Sequence, residues 1–92
     1  DSDHVKETVR HVRKWLDHYR NECRFPVFPS GANFVMVDVA PRTGDEMVEL
    51  LASRGVIVRS CSSFRGLPDH YIRVCVGEDW ENELFLEEIN RI

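Results

Sequence analysis

Arg59 and Arg73 lie in two short β-branched runs joined by a Ser-, Gly- and Pro-rich loop, GVIVRSCSSFRGLPDHYIRVCVG over residues 55–77. A guanidinium among apolar residues is costly to bury unless it finds a partner. Either both arginines point to solvent, or both face an anion. A planar guanidinium grips a carboxylate or phosphate through two parallel hydrogen bonds. Arg65, in the intervening loop, is a third candidate or a solvated loop residue. Other constellations carry less chemistry. His4, His11 and His18 recur every seventh residue, so helical neighbours sit about 10 Å apart. That is too far to share one metal ion, and a solvated stripe is expected. Cys61, Ser62 and Ser63 invite a nucleophile, but His70 is the one nearby base and no third group in the sequence orients it. Asp38, inside an apolar run, reads as an edge charge or a capping acceptor.

The elements that must position these residues follow from hydrophobic periodicity. Val5, Val9, Val12, Leu16 and Tyr19 form one stripe at spacings of three and four, widened by Trp15, which predicts a helix over residues 2–22. Ser2 is its candidate cap. Pro26 and Pro29 confine the FPVFP run at 25–29 to a sheet edge or an extended connector. Ser30, Gly31 and Ala32 make a turn. Residues 33–39 then alternate as a strand, with Phe34, Met36 and Asp38 on one face and Val35, Val37 and Val39 on the other. Thr43 and Glu46 match a capping box. It opens a helix that runs to about residue 54, buries Met47, Val48 and Leu51, and ends at Gly55. Strands are predicted at 56–59 and 70–76, with a loop at 60–69. A last helix over 80–91 has Asp79 as candidate cap and Trp80, Leu84, Phe85 and Ile89 as its buried side. The order αββαββα describes an α+β two-layer sandwich, with a small, mainly antiparallel sheet and three helices. A sheet that small must have its second face covered, or carry one that tolerates water or a partner.

Strand parity then places the arginines. Ile72, Val74 and Val76 make the cleaner apolar face of their run, and Val56 and Val58 match it. If the two runs are neighbours, Arg59 and Arg73 both emerge opposite the helices, and a tight antiparallel pairing sets them across from each other. Like charges opposed in a sheet cost about 0.2–1 kcal/mol unless something negative lies between them.

Bulk properties exclude several function classes. The 92 residues fit one domain, 1–92. A net charge of −4 without a basic block argues against nucleic acid as a partner. Three cysteines without C-x-x-C spacing indicate neither a disulfide framework nor a zinc knuckle, so no metal is expected, and free thiols fit a cytoplasmic setting. No apolar run is long enough for a membrane span. The first residue is Asp, which is read as the mark of a piece taken from a longer protein.

Three strings together resemble a known family: PSGANFVMVDV (29–39), LLASRGVIVRSCSSFRGLPDHYIRVCVG (50–77), and the closing helix with Glu81, Asn82 and Leu84. They resemble the C-terminal small domain of fold-type-I pyridoxal-phosphate enzymes, in the branch of histidinol-phosphate aminotransferase and threonine-phosphate decarboxylase. That resemblance implies a substrate-binding role for Arg73, which would grip a substrate carboxylate or phosphate. Arg59 would hold the second anionic group, and Asn33 and Phe34 would border the active site. It implies pyridoxal 5′-phosphate in a longer, homodimeric parent acting on an amino-acid or phosphate-bearing substrate, by transamination or decarboxylation. The Schiff-base lysine and the other cofactor-binding residues belong to a large domain. Lys6 and Lys14, the chain's lysines, match no cofactor motif. The chain alone is therefore expected to have no catalytic or cofactor-binding residues and no activity, and to show an apolar patch where the large domain packs. A stand-alone α+β regulatory or binding module for a small anionic metabolite is the alternative reading.

Overall fold

The computed structural model describes residues 2–29, 31, 33–61, 66 and 68–92, with the side chains of that set from residue 5 onward. Seven elements follow in the expected order: α1 (Ser2–Glu22), β1 (Val27–Pro29), β2 (Phe34–Asp38), α2 (Gly44–Ala52), β3 (Arg59–Ser60), β4 (Tyr71–Cys75) and α3 (Asp79–Arg91). The sheet order is β1-β2-β4-β3, and every neighbouring pair is antiparallel. β2 and β3 therefore run the same way, with α2 as the crossover and β4 inserted between them, a split β-α-β arrangement. The proline-flanked β1 takes the edge, where a missing N–H costs no ladder bond.

One face of the sheet is the core face. Val35, Val37, Ile72 and Val74 are buried there with Val56 and Val58, against Trp15 and Tyr19 of α1, Met47 and Leu51 of α2, and Phe85, Leu86 and Ile89 of α3. Tyr19 meets Phe85 edge-on at 5.3 Å between ring centres, a favoured aromatic geometry. Thr43 caps α2 as its spacing predicts: its hydroxyl accepts from the Glu46 amide at 3.1 Å, and Glu46 Oε1 accepts from the Thr43 amide at 3.2 Å.

Several expectations are corrected. The third strand is the pair Arg59–Ser60, not residues 56–59, because the ladder with β4 covers only Arg59↔Arg73 and Ser60↔Ile72. Val5 and Val9 are exposed. A helix of 21 residues is about 31 Å long, whereas a five-residue strand spans about 17 Å, so the first turns of α1 overhang the sheet. Glu78, not Asp79, is the N-cap of α3. The Asp79 carboxylate is taken by the Trp15 indole, which donates to it at 2.8 Å. Trp80 is 66% exposed; the buried stripe of α3 is Asn82, Phe85, Leu86 and Ile89.

The histidines are not a bare solvated stripe either. His11 Nε2 donates to the Gly77 carbonyl at 2.7 Å, and His18 Nδ1 donates to Glu22 at 2.7 Å. The side chain of His4 lies outside the described set. The Gly77 carbonyl also accepts from Asn82 Nδ2 at 2.9 Å, while Asn82 Oδ1 accepts from the Gly77 amide and the Tyr19 hydroxyl, both at 2.8 Å. This buried network ties α1 and α3 to the end of β4, the strand that carries Arg73. Among the described residues, no helix is long and apolar enough to cross a membrane.

Candidate anion-binding face

The opposite face of the sheet is built by the other half of the strand alternation. Register places Arg59 directly across from Arg73, and Arg73 across from Met36. Cross-strand partners point to the same side, so the two guanidinium groups share one face, with Cα atoms about 4.5–5.5 Å apart. Phe28, Phe34, Met36, Asp38, Tyr71 and Cys75 belong to that face by the same register. None of the three helices covers it: the core they form with the sheet is made of the alternate residues. Phe28 is exposed, and Ile57, two residues before Arg59, is 83% exposed. Among the described residues the face is thus largely apolar, half-exposed, and carries two guanidinium groups, with Asp38 at its end.

Neither Arg59 nor Arg73 forms a salt bridge with an acid among the described residues. Among the described residues, the arginine–carboxylate pairs are Arg54–Glu88 and Arg91 with Glu87 and Glu88, all in the helical layer. Arg59 is exposed and Arg73 half-buried. Arg73 Nε is shut off from water and has no hydrogen-bond partner among the described residues. A buried donor left without an acceptor costs about 1–3 kcal/mol. What holds Arg73 is an aromatic ring: its Cζ lies 5.2 Å from the centre of Phe34, within cation–π range. Cys61 continues the β3 register, its amide donating to the Tyr71 carbonyl at 3.0 Å. Burial pushes the Cys61 thiol up from its ordinary value, and the Arg73 guanidinium opposes that shift.

Asn33 is exposed just before β2, and its carbonyl accepts from the Val76 amide at 2.8 Å. Asp38 accepts from the Ala40 amide at 3.1 Å and from His70 Nδ1 at 2.7 Å. His70 therefore does have an orienting carboxylate, contrary to the sequence reading, because strand pairing brings together residues 32 positions apart. Cys61 is buried, which withholds it as a nucleophile. Ser62, Ser63 and Arg65 lie outside the described residues. No group of three or more His, Cys, Asp or Glu side chains among the described residues is placed to hold a metal ion. Sequence reasoning missed Met36 as the neighbour directly opposite Arg73, and only the strand register could have supplied it.

No family model matches the chain. Curated relatives do. Over all 92 residues the chain is 56% identical to histidinol-phosphate aminotransferase of Methanosphaerula palustris and 59% identical to that of Methanoculleus marisnigri. It spans 26% of the length of each. Among solved structures, histidinol-phosphate aminotransferase from Clostridium acetobutylicum superposes with a TM-score of 0.81 at 21% identity, covering 99% of this chain and 29% of that one. L-threonine-O-3-phosphate decarboxylase from Porphyromonas gingivalis gives 0.81 at 23% identity, over 95% of this chain and 27% of that one. These two likenesses establish the fold. The high-identity relatives make the chain histidinol-phosphate aminotransferase-like in sequence, over about a quarter of their length.

Proposed function

We propose that this chain is the substrate-anion-binding, C-terminal domain of a pyridoxal-phosphate-dependent enzyme, an aminotransferase or an amino-acid-phosphate decarboxylase. The observation that carries the reading is the Arg59–Arg73 pairing on the face away from the helices, with neither arginine in a salt bridge to an acid among the described residues. Two opposed guanidinium groups repel, and an anion between them turns that repulsion into two attractions. A substrate with one or two anionic groups suits the pair, and Asn33 and Phe34 border it from the start of β2.

The residues present do not form a cofactor site. A Schiff base to pyridoxal phosphate needs a lysine at the substrate-facing surface. Lys6 and Lys14 are on α1, in the other layer, with the Lys14 ammonium 5.4 Å from the centre of the Trp15 ring. The catalytic lysine and the cofactor therefore belong to a further domain of a longer polypeptide, for which the apolar side chains around the arginines offer a packing surface. This chain contributes binding and orientation, which can lower a barrier by several kcal/mol when the reacting groups are held in line.

The test is a titration of the chain with histidinol phosphate and with phosphothreonine, read from the side-chain N–H resonances of Arg59 and Arg73. Both sets of resonances are expected to shift, and Arg73→Gln to weaken binding by roughly 10- to 100-fold, the worth of about 1.5–3 kcal/mol for hydrogen bonds to a charged group. Shifts that map to the helical layer and spare both arginines would remove the basis of the reading.

A further inference from the structure

We infer that Gly31 and Phe34 together set the position of the Arg73 guanidinium, Phe34 as the platform and Gly31 as the gap that lets the platform sit there. The inference rests on the reading that Arg73 meets an anion, and gives that site its positioning residues. Across the strands from Arg73 lie Met36 and Arg59, with Phe34 one pair further along, opposite Cys75. Arg59 repels the guanidinium and Met36 is neutral. Phe34 attracts it, with the ring centre 5.2 Å from Cζ. An aromatic ring also differs from a carboxylate as a holder. A cation–π contact uses none of the guanidinium N–H donors in a directed hydrogen bond, whereas a carboxylate would take two of them. Phe34 therefore holds the group without spending the terminal N–H donors that a ligand would need.

Gly31 decides where that ring can lie. A Cβ built on Gly31 would fall 2.6 Å from Phe34 Cζ and 2.8 Å from Cδ1. Real side chains do not approach so closely. Gly31 is not among the glycines with positive φ, which are Gly55 and Gly66. Its backbone thus accepts alanine, and the three nearest atoms such a Cβ would meet all belong to the ring. A single methyl group at residue 31 therefore displaces the Phe34 ring without changing the chemistry of Arg59 or Arg73.

The experiment uses isotope-labelled protein of the full 92-residue sequence, compared with Gly31→Ala, Phe34→Leu and Phe34→Tyr. One readout is the upfield ring-current shift of the Arg73 δ-protons; the other is the affinity for inorganic phosphate. Wild type and Phe34→Tyr are expected to show the shift. Gly31→Ala and Phe34→Leu should lose it and bind phosphate about two- to fivefold more weakly, in line with an exposed cation–π contact. Backbone amide spectra elsewhere should stay unchanged, and if Gly31→Ala does not fold, the contrast of Phe34→Leu with Phe34→Tyr carries the same decision. No ring-current shift in wild type, or one that survives Gly31→Ala with unchanged phosphate affinity, overturns the inference. A shift that Gly31→Ala abolishes, in a protein that binds no phosphate, upholds the positioning and overturns the anion reading instead.

Discussion

Replacing Asn82 by leucine puts the buried polar network to a quantitative test. Asn82 is 1% exposed. Its amide makes three hydrogen bonds: two accepted by Oδ1, from the Tyr19 hydroxyl and the Gly77 amide, and one donated by Nδ2 to the Gly77 carbonyl. Leucine is of similar size, so the change is chiefly the loss of those bonds. The Gly77 carbonyl keeps His11 as a donor. The Tyr19 hydroxyl and the Gly77 N–H are left without their partner, each at about 1–3 kcal/mol. The apolar gain from leucine offsets about 1 kcal/mol of that. The expected net loss is about 1–5 kcal/mol, a large part of the roughly 5–15 kcal/mol typical of a domain. At about 4–8 °C per kcal/mol for a chain of this size, Tm should fall by roughly 4–40 °C. Urea unfolding followed by circular dichroism measures it, with the slope unchanged if the denatured state is the same. Tyr19→Phe alone should cost about 1 kcal/mol, and the double variant less than the sum, because the two side chains share one bond. An Asn82→Leu variant within about 0.5 kcal/mol of wild type would refute the idea that these bonds hold the end of β4.

Three further outcomes follow from the same physical reasoning. Gly55 has a φ of +84° with open space where a Cβ would go, so Gly55→Ala should cost about 1–2 kcal/mol from backbone strain alone, and Gly55→Asn less, as a comparison of urea midpoints will show. Burial holds the Tyr19 hydroxyl well above its ordinary pKa of 10.0, with Glu81 adding to it. The unfolded chain therefore ionises first, stability is fully present below pH 10 and declines as pH rises above it, and Tyr19→Phe should flatten that alkaline decline. The Asp79 carboxyl is held below its usual 3.8 first by the Trp15 indole hydrogen bond, then by Lys14 and His11; Trp15→Phe should bring it back toward 3.8 in an NMR titration, and the group's contribution to stability is lost as pH falls through its depressed value, not as pH rises.

Much of the fold was legible because its signals are local. The stripe from Val12 to Tyr19, the alternation of β2 and the Thr43–Glu46 box each follow from the chain within a few residues. Parity alone put both arginines on one face, and the register then set them opposite each other. What escaped were features decided by distant partners. Asp79 looks like a helix cap until Trp15, 64 positions away, takes its carboxylate. Asn82 gives no local sign of burial; it is the Tyr19 hydroxyl and the Gly77 backbone that close around it. Trp80 looks like core by type alone, yet the buried stripe of α3 falls on Asn82, Phe85, Leu86 and Ile89. The hold of Phe34 on Arg73 is of the same kind, since it needs the diagonal geometry of two paired strands.

The most direct measurement is a structure of the chain with histidinol phosphate bound. Phosphate oxygens are expected within about 2.7–3.2 Å of guanidinium nitrogens of both Arg59 and Arg73, on the face away from the helices. A ligand seated in the helical layer, or either arginine closed onto a carboxylate of its own chain, would contradict it.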